Sequence, residues 1–113
     1  REINFGDAEG MLSSEADINF PDIPEAITKN HDIVLANSGE SINQVKARIC
    51  NFLLDICQNR VESNIALSAH GGVIGNFVST INGGEYLQLH NADIVHIIYD
   101  ENNQSFSYIG IIE

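Results

Sequence analysis

The sequence predicts an α/β layer architecture on a thin sheet of about three strands, the last two forming a C-terminal hairpin. Three observations carry this reading. A capped amphipathic helix spans about 41 to 59. An apolar run at 64–69 ends in His70-Gly71-Gly72 and resumes at helical spacing. Two β-prone runs, 92–99 and 105–112, flank a turn-like stretch.

The helix is the clearest element. Ser41 with Gln44 three residues on makes a capping box, and Ile42, Val45, Ile49, Phe52, Leu53 and Ile56 recur at helical spacing. Cys50, Leu54 and Cys57 widen the apolar arc, whereas Gln44, Arg48, Asn51, Asp55 and Asn59 take the opposite side. Asn64 to Ala69 has the length and apolarity of a buried strand. After the two glycines, Val73, Ile74, Phe77, Val78 and Ile81 continue as a helix, which Asn82-Gly83-Gly84 ends by tolerating positive φ. Asp100 to Asn103 turns the chain back, and Ser105 to Ile112 returns as the second strand of the hairpin. Residues 1–40 are richer in turn formers. With Phe20-Pro21 and Ile23-Pro24 limiting helix, they are expected to form a cap region of loop with one or two short helices, around 12–19 and 24–30. The whole is one domain over residues 1–113, with 1–40 as cap and 41–113 as helix-strand-helix-hairpin core. Three strands are few for so much apolar helix surface, so either another chain covers a sheet edge or part of the domain is absent.

Bulk properties narrow the function. An apolar content of 43% and a charged content of 19% indicate a globular chain. The net charge of −11 disfavours nucleic acid and anionic membranes, which reward basic patches. No run approaches the roughly 18 apolar residues of a membrane span, and no secretory signal opens the chain, so a cytoplasmic location is expected. The chain opens at Arg1, and residues 1–10 read like the middle of a domain, so a fragment is expected. Eight of the sixteen carboxylates fall in residues 1–32. Screening over about 8 Å lets a local pocket oppose the global sign, so an anionic substrate stays admissible. Cys50 and Cys57, about 10.5 Å apart along a helix axis, cannot bridge each other and are expected as reduced core residues. No pair among His31, His70, His90 and His96 has compact metal-ligand spacing with support from cysteine or carboxylate, so no metal is expected.

His70 stands where open α/β sheets bind ligands, beyond the end of a strand and before a helix whose first N–H groups are free. Gly71 and Gly72 admit close backbone approach, and an imidazole there can donate to a phosphate oxygen. The plain alternative is a glycine-rich connection with a partly exposed histidine. Gly71, Gly72 and Gly75 do not make the G-x-G-x-x-G of a dinucleotide site. His90 and Asn91 either rim a pocket or cap a strand end, and His96 reads as a hydrogen-bonded sheet residue.

Taken in order, "REINFGDAEG", "GES" at 39–41, a helix with Arg48, "LSAHGGVIGNF" and "LHNADIVHIIYD" resemble the histidine phosphatase superfamily, the phosphoglycerate mutase-like fold, over essentially the whole chain. The resemblance implies a three-layer α/β/α sandwich, here with a partial sheet. It implies a catalytic pair, Glu2 as proton donor to the leaving oxygen and His70 holding the phosphoryl group, with the Gly71 N–H beside His70 in the phosphate-binding set. No cofactor is implied. A carboxyl must hold its proton to act as an acid, and without the resemblance Glu2 reads as one more solvated carboxylate.

The departures carry equal weight. The family's nucleophilic histidine lies in an Arg-His-Gly motif, with a further pocket arginine downstream, both ahead of the E-x-x-F-G stretch; neither motif occurs here. The chain therefore resembles the carboxyl-terminal half of such a domain and alone is expected to be inactive. Ala8 replaces a frequent aromatic, which bears on packing. The short connection between Gly6 and Gly39, with Phe5 where mutases tend to have tyrosine, favours a phosphatase acting through phosphohistidine over phosphoglycerate mutase activity in the complete parent. Expected partners are a small phosphorylated substrate and, across the open sheet edge, the complementary N-terminal half or a second copy. The rival class is a non-catalytic binding or assembly module that retains half of the fold.

Overall fold

Ser41 and Gln44 close the predicted box in full: the Ser41 hydroxyl accepts from the Gln44 N–H at 3.1 Å, and the Gln44 side chain accepts from the Ser41 N–H at 2.9 Å. In the computed structural model, which describes residues 1–113, this box starts α3 (Ile42–Asn59). Ahead of it lie a short 3-10 turn at Gly6–Ala8 and two helices, α1 (Ser13–Asn19) and α2 (Asp22–Lys29). α2 starts earlier than expected because Pro24 sits in its first turn, where a missing N–H leaves no intrahelical bond unmade. Asn30 ends α2 in the left-handed conformation at φ 57°, and its side-chain amide donates to the Gly84 carbonyl at 2.7 Å, tying the end of α2 to the turn beyond α4 (Gly71–Ile81).

The hairpin forms as read. β1 (Ile94–Asp100) and β2 (Ser105–Ile112) pair antiparallel, with Ile94 opposite Ile112 and Asp100 opposite Ser105. The register shifts after His96, leaving Ile109 as an unpaired bulge residue between Tyr108 and Gly110. One face of this ribbon packs on α4, where Phe77 meets Phe106 edge-on at 5.3 Å. The other face leaves Ile94, Ile98, Ile109 and Ile112 about half exposed, and His96, placed on it, makes no side-chain hydrogen bond.

One predicted element does not form. Residues 64–69 make no ladder, so the sheet has two strands rather than about three, and the stretch expected to be buried lies exposed, with Ile65 and Leu67 both open to solvent. The physical reason is the pairing requirement. A hairpin supplies its own neighbour through a short turn, whereas a strand leading into a helix needs a separate strand beside it.

The core gathers the first residues, α2, the start of α3 and the first turn of α4. Ile3, Ala26, Leu35, Ile42, Val45 and Val73 form one buried cluster, with Phe5, Ile23, Ile27 and Ile49 packed around it. α3 is therefore buried only in its first two turns. Phe52 is 52% exposed, and Cys50 and Cys57, free as expected, are half-buried rather than core residues. The total accessible surface of 7402 Å² exceeds the roughly 6,100 Å² typical of a closed globule of this mass, so this core does not close over the hairpin face.

Two glycines make the close approach that locks residues 1–10 onto 34–41. Gly6 adopts φ 53°, and a β-carbon on Gly39 would fall 2.5 Å from the carbonyl oxygens of both Asn4 and Leu35. Replacing Ser41 by Ala removes one cap acceptor and is expected to cost about 1 kcal/mol. Gly39→Ala must separate two backbone segments and is expected to cost clearly more. Urea unfolding of both variants checks this ordering, and equal midpoints would contradict the backbone approach described here.

Candidate functional site

The site begins with the hydrogen bonds of residues 1–9. The Asn4 N–H donates to the Glu40 carboxylate at 2.9 Å, the Glu40 N–H donates to the Asn4 carbonyl at 2.9 Å, and the Phe5 N–H donates to Glu9 at 2.8 Å. The Ser38 hydroxyl donates to Asp7 at 2.6 Å. This pairing delivers Ile3 into the core and turns Glu2 towards the first turn of α4. There the Ile3 N–H donates to Glu2 Oε1 at 2.9 Å, and a β-carbon placed on Gly72 would lie 3.0 Å from the same oxygen. Glycine at 72 thus lets the Glu2 carboxyl rest against the helix.

His70 is the N-cap of α4, with an extended backbone at φ −119° and ψ 150° and no side-chain cap bond, so its imidazole is not spent on the helix end. Glu2, His70 and Gly71 line one cavity of about 270 Å³. Its other polar wall is the turn before β1, where the His90 N–H donates to Asp93 Oδ2 at 2.7 Å and the Asp93 N–H donates back to the His90 carbonyl at 3.2 Å. His90 Nδ1 lies 3.6 Å from the same carboxylate, and Asn91 completes this rim. Ala69, Ile74, Leu89 and Ala92 supply the apolar lining. The two readings of His90 and Asn91 are thus both met, since a turn leading into β1 also faces the cavity.

Tyr86 lies behind Glu2. Its ring occupies the place of a side chain at Gly75, where a β-carbon would fall 2.5 Å from Tyr86 Cε2. Burial first, and the Glu2 carboxylate second, push its phenol above the usual tyrosine range. Gly75, unremarkable as part of a nucleotide motif, has this packing role.

No lysine or arginine lines the cavity. Arg48 is engaged elsewhere: Nε donates to Glu40 Oε2 at 2.8 Å and Nη2 to Oε1 at 3.0 Å, a bidentate pair. The Arg48 guanidinium, more than burial can offset, holds the Glu40 carboxyl below its ordinary value of 4.5. No grouping of three or more His, Cys, Asp or Glu side chains is disposed as metal ligands, and no helix is long and apolar enough to cross a membrane.

The family model of the histidine phosphatase superfamily (branch 1) matches residues 1–111. The chain belongs to the histidine phosphatase superfamily. No curated protein and no solved structure gives a significant match. Membership supports a phosphatase- or mutase-like domain of α/β type, and this histidine phosphatase domain draws its cavity from both ends of the matched region: Glu2 from the first motif, His70 and Gly71 from the third, and His90 to Asp93 from the last. Sequence reasoning reached Glu2, His70, Gly71, His90 and Asn91, and it missed Asp93, Tyr86 and the engagement of Arg48. The His-x-x-Asp spacing at 90–93 was a readable turn signal for Asp93, whereas nothing local marks Tyr86 or pairs Arg48 with Glu40.

The Glu40 shift has a sign. A carboxyl whose folded value is depressed stabilises the fold fully above its unfolded value and loses that contribution as pH falls through the folded one. Between about pH 4.5 and the lower folded value, the wild-type chain is therefore expected to lose stability that Glu40→Gln, already less stable at neutral pH, no longer has to lose. Urea midpoints measured from pH 7 to pH 3 check this, and parallel curves for the two proteins would contradict it.

Proposed function

We propose that this chain carries the acid and the phosphate-holding part of a cofactor-independent phosphomonoesterase that acts through a phosphohistidine. The observation that carries the reading is that Glu2 and His70, far apart in the sequence, line one cavity beside the first turn of α4. The nucleophilic histidine and the pocket arginines come from a segment outside these 113 residues, which also completes the three-layer sheet next to residues 64–69. The chain alone is inactive.

The chemistry then runs in two steps. The nucleophilic nitrogen attacks phosphorus, and the P–O bond to the leaving group breaks with its electron pair passing to the leaving oxygen, which takes the proton from Glu2. Water next attacks phosphorus, gives a proton to the Glu2 carboxylate, and breaks the P–N bond to release inorganic phosphate. His70 and the Gly71 N–H donate to the equatorial oxygens, where charge is spread throughout. The substrate is a small phosphomonoester.

The second reading, a binding or assembly module without catalysis, is favoured by the lack of lysine and arginine in the cavity wall and by the apolar outer face of the hairpin. Gel filtration with the complementary segment separates the two: a chain that gains order and phosphatase activity on mixing is the enzyme half, and one that ignores the segment is the module.

Leaving groups provide the sharper test. In the complete phosphatase, Glu2→Gln is expected to slow alkyl phosphate hydrolysis by about 10²–10⁴ and to slow nitrophenyl phosphate far less, because nitrophenolate departs without a proton. His70→Ala is expected to slow both by about 10²–10³. Steady-state rates on the two esters check this. Unchanged rates in both variants would remove the roles given to Glu2 and His70.

A further inference from the structure

We infer that Arg48 is the positioning residue of the acid: its guanidinium, locked by Glu40, fixes the backbone from which the Glu2 carboxyl reaches the cavity. This rests on the role proposed above for Glu2.

Five residues make the contact: Arg48, Glu40, Arg1, Glu2 and Asn4. Arg48 stands on α3 and sends its fork into Glu40 at 2.8 and 3.0 Å. The same fork reaches the first residues of the chain, Nη1 donating to the Arg1 carbonyl at 3.3 Å and Nη2 to the Glu2 carbonyl at 3.4 Å. The carbonyl contacts are long and individually weak, so direction comes from the two short charged bonds. Glu40 in turn accepts the Asn4 N–H and donates its own N–H to the Asn4 carbonyl, both at 2.9 Å. Glu2 and Ile3 are thus bracketed, with the Glu2 carbonyl on Arg48 and both backbone groups of Asn4 on Glu40.

The bracket bears on the carboxyl because that side chain has little else to hold it. Its one hydrogen bond is to the neighbouring Ile3 N–H, and its wall is Gly72, which offers no side chain. A carboxyl anchored only to its own backbone goes where the backbone goes. Arg48 takes no part in lining the cavity, so it acts through Glu2 rather than on a ligand. Lysine, with one compact charge and no planar fork, cannot hold Glu40 and the two carbonyls at once.

The test uses the 113-residue chain, Arg48→Lys and Glu40→Gln, followed by NMR. In the wild-type chain the Ile3 amide proton is expected to follow protonation of Glu2, with Tyr86, His70, His90, Asp93 and the Glu40–Arg48 pair the other titratable or charged groups around it. In both variants that coupling is expected to vanish and Ile3 amide exchange to rise about tenfold over the change at Val73 and Phe77. Equal acceleration at all three amides would show that Arg48 merely supports the fold, and an Ile3 coupling that survives in both variants would also overturn the assignment. Inorganic phosphate is titrated into the same samples. Shifts at His70 and Gly71 that persist in the variants while Ile3 decouples support the positioning role. A wild-type chain whose His70 and Gly71 signals ignore phosphate refutes the reading of the site, whatever Ile3 does, and the positioning role with it.

Discussion

The Glu40 carboxylate is the point at which the first residues of the chain are joined to α3. Its side chain, 11% exposed, is surrounded by the Arg48 guanidinium at 2.8 and 3.0 Å and the Asn4 amide at 2.9 Å. A carboxylate withdrawn this far from water must recover its lost hydration in charged hydrogen bonds, and three of them at near-ideal length do so. The consequence reaches well beyond one ion pair. Residues 1–10 have no regular ladder of their own, so Glu40, with the longer Arg48 contacts to the Arg1 and Glu2 carbonyls, is the main polar hold on Ile3 and Glu2. Gly6 and Gly39 make the arrangement possible by letting two backbones pass where any β-carbon would intrude. Charge supplies the direction of this contact and glycine supplies the room.

Around that joint the packing is uneven. The cluster of Ile3, Leu35, Ile42, Val45 and Val73 is closed, whereas the far half of α3 and the outer hairpin face stay open. Helices and hairpins satisfy their backbone groups locally, so they form even where their apolar faces are uncovered. Residues 64–69 cannot, because their hydrogen-bonding partners are a different strand. Under the proposed reading, residues 64–69 are the predicted strand whose neighbour the complementary segment supplies. The apolar character of that stretch matches a strand buried on both faces, as parallel sheets with helices on each side require.

This same distinction decides what could be read in the sequence. The capping box at Ser41 and Gln44, the turn at 100–103 and the α4 start after His70-Gly71 are encoded within a few residues, and the structure follows them closely. Asn64 to Ala69 has the right composition for a strand, but composition cannot report whether a neighbour is present. The site divides likewise. His70 and Gly71 announce themselves by standing between a strand-like run and a helix, while Glu2 becomes visible only through a resemblance in which separate motifs fall in order. Arg48 lies on the polar side of α3 and by periodicity alone reads as a solvated charge, yet it is turned into Glu40. Periodicity assigns a face to a residue and says nothing of which loop will cross that face. Tyr86 escapes for the opposite reason: its partner is a glycine, which carries no side chain to suggest contact.

The question of how so acidic a chain could serve a phosphate ester is answered at the scale of the cavity rather than of the molecule. The proposed phosphate-holding groups are an imidazole and a backbone N–H at a helix start, donors that need no formal charge to orient an oxyanion. Each of the two carboxylates in the wall accepts one backbone N–H, Asp93 from His90 and Glu2 from Ile3, and under the proposed reading it is Glu2 that serves as the acid. Donors without cations give orientation and little affinity, since neutralising a dianion takes positive charge. Under the proposed reading the labour is thus divided by chemistry: this chain sets the angle of the phosphoryl group and delivers the proton, and the segment bearing the arginines supplies the attraction. Such a division makes each part silent alone, and it explains why a net charge of −11 is no obstacle. At about 8 Å of screening the remote carboxylates contribute little, and the field that a bound phosphate meets is set by the few groups around it.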